Sequence, residues 1–252
     1  AIVLTHRSPE ALHQARVALR RLRSAFSVFA PLYETDEQAA PLRAELRELA
    51  GILGEARNLD VLIERAGSGP LRDRLEPARE EAYANVEAAL AAPKARGLML
   101  DLMQWLATGP WLTERGKAHA QSAEAFARSA LDRYRRKVKK GGRRLKKADD
   151  ETRHDLRKNA KKLRYASEFF KALFPGKKSR RRYKRFIAAL EDMQDHLGVL
   201  NDFATAPEEI RKLNLEDEPE AQALLEGQAK APLLAAAADA HEAFVDTKRF
   251  WR

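Results

Sequence analysis

Apolar residues recur along most of this chain at steps of three and four positions, the period of an amphipathic α-helix. Ala, Leu, Arg, Lys and Glu dominate the composition, and all five are strong helix formers. No stretch alternates β-branched residues as a strand would. Gly and Pro divide the pattern into about eight predicted helices, near residues 8–31, 36–66, 71–91, 94–107, 119–147, 151–173, 178–205 and 218–247. The sequence therefore predicts an all-α fold of antiparallel bundles.

Local signals support several of these boundaries. Ser8 followed by Pro9 and Glu10 is a strong helix start, because Ser caps the helix and Pro fits its first position. The segment GSGP at 67–70 closes the second helix, and Asp149-Asp150 separates the fifth from the sixth. The pair Gly141-Gly142 predicts a kink in the fifth helix.

One basic motif occurs twice. The stretch HQARVALRRLR at 13–23 returns as HDLRKNAKKLR at 154–164. The residues that correspond are His13 and His154, Arg16 and Arg157, Arg20 and Lys161, Arg21 and Lys162, and Arg23 and Arg164. A spaced motif that recurs in this way indicates internal duplication with two copies of one anion-binding surface.

A second motif follows each copy of the first. LGEARNLDV at 53–61 matches LGVLND at 197–202, so that Gly54 pairs with Gly198, Arg57 with Asn201, and Asn58 with Asp202. Two hairpins, each a His helix followed by an LG helix, therefore repeat. We predict two four-helix bundles related by a pseudo-twofold axis, with a first repeat at 1–112 and a second at 113–252.

The basic motif places its cations on one face of each helix. With His13 at zero on a helical wheel, Arg20, Arg16 and Arg23 lie at about −20°, −60° and −80°, opposite an apolar arc that includes Phe26. We call these two rows of motif cations the first stripe and the second stripe. No Asp or Glu is interleaved in either stripe, so repulsion between like charges predicts a bound polyanion.

The charge distribution agrees with this prediction. Residues 128–185 hold 25 Lys and Arg against six Asp and Glu, although the net charge of the whole chain is only +10. Segregation of this kind points to a polyanionic partner. The chain has no Cys, which excludes disulfides and thiolate metal sites. No apolar run reaches the length of a membrane span, and AIVLTHRSPE at 1–10 is no signal peptide. We therefore expect a cytoplasmic protein.

Four segments together resemble the CHAD domain, the conserved histidine α-helical domain. They are HxxRxxxRRLR at 13–23, LGxxRNxDV at 53–61, HxLRKxxKKLRY at 154–165 and LGxLND at 197–202, and they place residues 1–252 in a single such domain. The resemblance implies two symmetry-related four-helix bundles. It also implies non-catalytic binding of inorganic polyphosphate on a basic surface and central channel. Association with polyphosphate granules and a fused or neighbouring triphosphate tunnel (CYTH-type) domain are implied as well.

Carried over by position, the resemblance implies polyphosphate contacts from both stripes, from Tyr165 after the second stripe and from Arg57. The neighbouring basic helix predicts further contacts. The full predicted set is His13, Arg16, Arg20, Arg21, Arg23, Arg57, Arg136, Lys137, Lys140, Arg143, His154, Arg157, Lys161, Lys162, Arg164 and Tyr165. Asn58 departs from the family, where Asp is usual and could orient Arg57 by a salt bridge.

Three other functions stay open. The same cations would bind nucleic acid non-specifically, although the aromatic residues fit a core better than base stacking, which argues against specific recognition. A metal held by His13 and His154 lacks carboxylate or Cys ligands nearby, so we expect no metal and no cofactor. A phospho-accepting His would leave the duplicated cations unexplained. No phosphate loop or catalytic triad is present, and we predict no enzymatic activity.

Overall fold

The computed structural model describes residues 7–113, 116–226 and 229–252, and over these residues its regular structure is helical, without strands. The α-helices of this part of the chain are α1 Pro9–Val28, α2 Ala39–Ala66, α3 Pro70–Ala91, α4 Pro93–Thr108, α5 Ala123–Gly141, α6 Asp150–Phe170, α7 Lys177–Lys212, α8 Pro219–Glu226 and α9 Lys230–Asp246. Short 3₁₀ turns follow α1, α4, α5 and α6. The predicted all-α class is confirmed.

The helices begin where the sequence places capping residues. The Ser8 hydroxyl accepts from the backbone N–H of Ala11 at 3.4 Å, and Pro9 takes the first helical position of α1. The Asp149 carboxylate accepts from the N–H of Thr152 at 2.7 Å and opens α6. Each cap satisfies a backbone donor that the first turn cannot use. These two caps fix the start of both His helices.

Several predicted boundaries differ from the structure by a few residues, and three of the differences change the elements themselves. α5 ends at Gly141 instead of kinking there, and a Cβ added at Gly142 would overlap the ring of His241. α7 continues through Pro207 to Lys212, beyond the predicted end at 205. The predicted last helix is two helices, α8 and α9, and residues 227–228 between them lie outside the described part of the chain.

The described residues fall into two compact units. Unit 1 contains those within 1–116 and 207–227, and unit 2 those within 117–206 and 228–252. The boundary crosses α7 at Pro207, so the end of that helix and α8 belong with α1–α4. The division of the sequence into repeats at 1–112 and 113–252, and their pseudo-twofold relation, stay predictions.

Unit 1 has an apolar core that holds α1 against α2. Leu12 of α1 is fully buried with Leu53 and Ala56 of α2. At the other end of α1, Phe26 stacks on Trp105 with ring centroids 5.1 Å apart. Burying side chains of this size contributes roughly 1.5–3 kcal/mol each. The packing leaves the basic face of α1 beside α2.

Unit 2 uses α7 in the same way against α6. Phe186, Leu190, Met193, Leu197 and Leu200 of α7 are each at most 2% exposed. Their steps of three and four residues place them on one face of the helix. Gln194 on the same helix donates to the backbone carbonyl of Ala160 in α6 at 3.3 Å. This packing brings the LG motif of α7 against the His helix α6.

Among the described residues, no helix is both long and apolar enough to cross a membrane.

Candidate anion-binding site

α1 presents the first stripe at the surface of unit 1. His13, Arg16, Arg20 and Arg21 are half-buried, and Arg23 is exposed. On other faces of the same helix, Leu12 and Phe26 are buried in the core. The helical-wheel division into a basic face and an apolar face therefore matches the burial of α1.

Arg57 of α2 joins the first stripe at His13. The pKa of His13 is lowered first by its partial burial and next by the positive charge of Arg57. Arg20 and Arg16 lower it further, and only Glu10 opposes them. A cationic imidazole is disfavoured beside guanidinium groups. The first stripe thus keeps His13 neutral near pH 7 while no anion is bound.

Arg47 is a member of this surface that sequence reasoning missed. Burial lowers the pKa of Arg23, and the charge of Arg47 lowers that pKa further, although the guanidinium stays charged. Arg47, Gly54 and Arg57 follow at steps of seven and three along α2, which places them on one face. The same spacing separates His13, Arg20 and Arg23, and this shared period was the available signal.

Arg57 forms an ion pair with a buried carboxylate. The Asp60 side chain is 3% exposed and lies 3.8 Å from the Arg57 guanidinium. It also accepts from Arg79 at 2.9 Å and from the Tyr83 hydroxyl at 3.0 Å. Burial and the bond to Asp60 raise the pKa of Tyr83 to about 12, so this hydroxyl stays a donor. Asp60 therefore orients Arg57, two residues after the position where the family pattern has its acid.

Asn58 takes a different role. Its amide donates to the Glu209 carboxylate at 3.3 Å within unit 1. It therefore contacts the segment after Pro207, while Asp60 contacts Arg57. The departure at Asn58 leaves the orientation of Arg57 intact.

The glycine of each LG motif lies against the first arginine of its stripe. A Cβ added at Gly54 would lie 3.0 Å from the Nη1 atom of Arg16. A Cβ added at Gly198 would lie 4.0 Å from Nη2 of Arg157. In both units the glycine gives the guanidinium room to lie on the neighbouring helix, and the fit is tighter at Gly54.

His154, the histidine of the second stripe, forms a hydrogen bond with a neutral side chain. The Nδ1 atom of His154 lies 2.9 Å from the amide oxygen of Asn201, and the Asn201 amide nitrogen donates to Asp202 at 3.4 Å. Because an amide oxygen only accepts, Nδ1 carries the proton and Nε2 is left for other partners. His154 is exposed. Asn201 stands at the position that Arg57 holds in the first repeat.

Arg164 is neutralised, which corrects the expectation that no carboxylate relieves the stripes. Its guanidinium lies 3.3 Å from Glu191 of α7 and 3.8 Å from Glu168 of α6. The Tyr165 ring lies under it at 5.1 Å. Tyr165 is 0% exposed, so its ring packs inside unit 2, and the expected contact with the anion stays a prediction. Tyr165 supports Arg164.

The other predicted residues are all in unit 2. Arg157, Lys161 and Lys162 are half-buried on α6. The predicted contacts contributed by α5 and the turn after it are exposed: Arg136, Lys137, Lys140 and Arg143. Lys137 lies over the Tyr134 ring at 5.7 Å, and Arg143 lines a separate cleft. The structure thus groups the His motif with the LG motif, and it places Arg143 elsewhere.

No group of three or more His, Asp or Glu within the described ranges could hold a metal ion. The chemistry of the described stripes is therefore that of Arg, Lys and His donors, which bind phosphate oxygens by charge-assisted hydrogen bonds.

Comparison with known proteins agrees with this arrangement. The CHAD domain family model matches residues 1–211, which is most of the chain, and the chain belongs to the CHAD domain family. The crystal structure of the CHAD domain from the plant Ricinus communis superposes with a TM-score of 0.79 and 28% sequence identity. The match covers 98% of this chain and 85% of the plant chain.

Two curated relatives are uncharacterised proteins of Mycobacterium tuberculosis, from strains CDC 1551 and H37Rv. Each is 32% identical over 180 residues, which is 63% of this chain and 34% of the relative. The matched segment thus spans about a third of the length of these relatives.

Proposed function

We propose that this chain binds inorganic polyphosphate without catalysis, and that the first stripe is its principal contact. The observation that carries the proposal is the crowding of like charge around His13 and Arg23 in unit 1. Burial is the first cause that lowers the pKa of His13 and of Arg23, and the charges of Arg57, Arg20 and Arg16 at His13 and of Arg47 at Arg23 lower these pKa values further. The CHAD family is associated with polyphosphate, which supports the choice of anion.

Crowded cations are an energetic cost that a bound polyanion removes. Two unit charges 4 Å apart repel by about 4 kcal/mol at an effective dielectric constant of 20. Phosphate oxygens inserted between guanidinium groups turn that repulsion into attraction, with bidentate hydrogen bonds from Arg. A flexible chain of phosphates can follow a row of cations without matching any fixed register. These properties favour polyphosphate as the ligand of the first stripe.

The surroundings of the stripes do not support phosphoanhydride hydrolysis. That reaction needs carboxylates free to hold Mg²⁺, and Asp60, the carboxylate nearest Arg57, is buried among Arg79, Tyr83 and Arg57. The family is in general a non-catalytic one. A binding role is the simpler function for this surface.

Nucleic acid is the alternative ligand, and the aromatic residues argue against it. Proteins that bind single strands stack bases on exposed aromatic rings. Phe26, Phe170, Trp105 and Trp251 are each at most 6% exposed. These four rings are therefore not available for base stacking, and for phosphate contacts polyphosphate is the denser ligand.

Calorimetric titration of the full chain with long-chain polyphosphate at physiological salt tests the proposal, with single-stranded DNA of matched length as competitor. We expect tight binding that DNA barely disturbs. The variant Arg20→Ala should weaken binding at unchanged melting temperature, and Arg96→Ala, at an exposed cation of α4, is the matched control. DNA that binds as tightly as polyphosphate would contradict the proposal.

Two further expectations belong to this proposal. A polyphosphate-binding chain would act in the cytoplasm, with granules of polyphosphate as one location. From the resemblance to the family we also propose a triphosphate tunnel (CYTH-type) domain as a fused or neighbouring partner. Localisation of the tagged chain in cells rich in polyphosphate tests the first expectation, and a chain found outside the cytoplasm would contradict it.

A further inference from the structure

Unit 2 contains an open cleft that the stripes do not use. It has a volume of about 930 Å³ and lies between the end of α5, the turn at 142–147 and α9. This volume falls within the range of small-ligand sites, roughly 300–1,000 Å³. None of the second-stripe residues lines it. The cleft is therefore a candidate site in its own right.

One wall of the cleft is cationic. It is lined by Lys139, Arg143, Arg144, Lys146 and Lys147. None of these side chains forms an ion pair with a carboxylate in the described part of the chain. Cations that lack a carboxylate partner in one concave surface attract phosphate groups. This wall suits the anionic part of a ligand.

The facing wall, formed by α9, carries hydrogen-bond acceptors. Glu242 and Asp246 line the cleft beside His241, which is 4% exposed. The Nε2 atom of His241 lies 3.2 Å from the backbone carbonyl of Val138. A carbonyl only accepts, so Nε2 carries the proton and Nδ1 is an acceptor. Burial lowers the pKa of His241 and keeps the ring in this neutral form.

A short apolar strip completes the lining. Ala238 and Val245 of α9 and Leu145 of the basic turn lie in the same cleft. Ala238, His241, Glu242, Val245 and Asp246 follow at helical steps, so α9 presents acceptors and apolar atoms on one face. A flat, weakly polar group would pack against this strip.

The basic surface continues past Asp246. A second depression of about 370 Å³ shares Asp246 and is lined by Lys178, Arg181 and Arg185 of α7. α7 begins without an acidic residue in its first turn. Cations at a helix N-terminus oppose the helix dipole, so an anion bound there would stabilise the helix start. The continuation gives room for more than one phosphate.

We propose that this cleft binds a nucleotide-sized phosphate ester. Its phosphates would contact the basic wall, its hydroxyl groups would donate to Glu242 and Asp246, and its base would cover the apolar strip. Bare polyphosphate has no sugar hydroxyl groups to donate to those acceptors, and two carboxylates repel it. The two anion sites of the chain thus select different ligands, and this proposal does not depend on polyphosphate binding at the stripes.

Titration of the full chain with ATP and with inorganic tripolyphosphate, in buffer without divalent cations, tests the proposal. Both probes carry three phosphates, and only ATP carries a ribose and a base. Three variants separate the parts: Arg143→Ala with Arg144→Ala for the wall, Glu242→Ala with Asp246→Ala for the acceptors, and Arg16→Ala with Arg20→Ala for the first stripe. The altered residues of the first two variants are exposed, and thermal melts check folding.

We expect the wall variant to weaken ATP about tenfold, the effect of losing about 1.4 kcal/mol of binding free energy. The acceptor variant should lower the affinity for ATP and raise the affinity for tripolyphosphate. Removal of negative charge alone would raise the affinity for both probes. The stripe variant should keep most of the affinity for ATP and lose more of the affinity for tripolyphosphate. ATP binding lost only in the stripe variant, equal responses of both probes to the acceptor variant, or no ATP binding by the wild-type chain would overturn the proposal.

Discussion

Each stripe lies on a His helix that packs against an LG helix, and in both cases the glycine of the LG motif lies near an arginine of the stripe. The residues opposite the two stripes differ. His13 faces Arg57, and Arg23 faces Arg47. In the second repeat His154 contacts Asn201, and Arg164 pairs with Glu191. When Gly54 is aligned with Gly198, Arg47 corresponds to Glu191 and Arg57 to Asn201. Like charges thus meet in the first repeat at positions where the second has an acid and an amide.

This difference leads to different expected effects of substitutions on ligand binding and on protein stability. His13 and Arg23 of the first stripe lie near further cations, whereas Arg164 of the second stripe pairs with Glu191 and Glu168. Each Lys or Arg that neutralises a phosphate releases counterions and adds to the affinity for a polyanion. We therefore expect changes in the first stripe to affect binding most, and changes at Arg164 and its partners to affect stability as well.

Exchange of the facing residues should have the largest effect. Arg47→Glu with Arg57→Asn gives the first stripe the partners of the second. We expect polyphosphate affinity to fall about a hundredfold, since two charge-assisted contacts of about 1.5 kcal/mol each are lost. Calorimetry measures the change. The reciprocal variant, Glu191→Arg with Asn201→Arg, should raise affinity, and equal affinities for both variants would remove the asymmetry.

The pH dependence of binding should be the next largest effect. Phosphates near His13 would raise its lowered pKa, so affinity should increase as pH falls from about 7 to about 5.5. The free protein behaves oppositely. The pKa of folded His13 lies below that of the unfolded chain, so its contribution to stability is present above the unfolded pKa and is lost as pH falls. NMR titration of the His13 ring with and without polyphosphate checks both signs.

The control for this pH dependence is His13→Gln, which should flatten the rise in affinity on acidification. The variant Arg57→Asn should raise the pKa of free His13, because it removes the largest charge that lowers it. An unchanged His13 pKa in Arg57→Asn would show that the two side chains do not interact.

Removal of the carboxylate partner from Arg164 should have a smaller effect. Glu191→Gln leaves the guanidinium with Glu168 at 3.8 Å, so more of its charge becomes available to an anion. We expect affinity to increase about threefold and stability to fall by less than about 1 kcal/mol, as is usual for exposed ion pairs. Titration and urea unfolding measure the two changes. A loss of affinity would mean that Glu191 positions Arg164 for binding.

The two glycines should give the smallest difference. Gly54→Ala places a methyl group 3.0 Å from Arg16 and should lower affinity by less than about twofold, because the flexible guanidinium can shift away. Gly198→Ala places it 4.0 Å from Arg157 and should leave binding unchanged. Ala favours a helix interior by about 1 kcal/mol over Gly, so Gly198→Ala should also unfold at higher urea concentration. Equal losses of affinity would indicate a backbone effect unrelated to the arginines.

Sequence reasoning predicted the elements and missed their pairwise electrostatics. The periodic apolar pattern gave the helices, since burial of one face determines a helix more strongly than any single residue does. The sequence showed that Arg57 aligns with Asn201. The side chain that each of them contacts depends on how two helices pack together, which the sequence pattern does not specify. Arg47 and Glu191 went unnoticed for the same reason. The burial of Tyr165 was also hidden, because a residue at the edge of a basic motif can face either way.

The most direct test is the salt dependence of polyphosphate binding for Arg16→Ala with Arg20→Ala, compared with Arg157→Ala with Lys161→Ala. Each variant removes two cations at matched positions, and the slope of log K against log salt concentration counts the phosphates that are neutralised. We predict that the first-stripe variant loses about two units of slope and most of its affinity, while the second-stripe variant loses clearly less of both. Equal losses in slope and affinity, or a larger loss in the second stripe, would contradict the account.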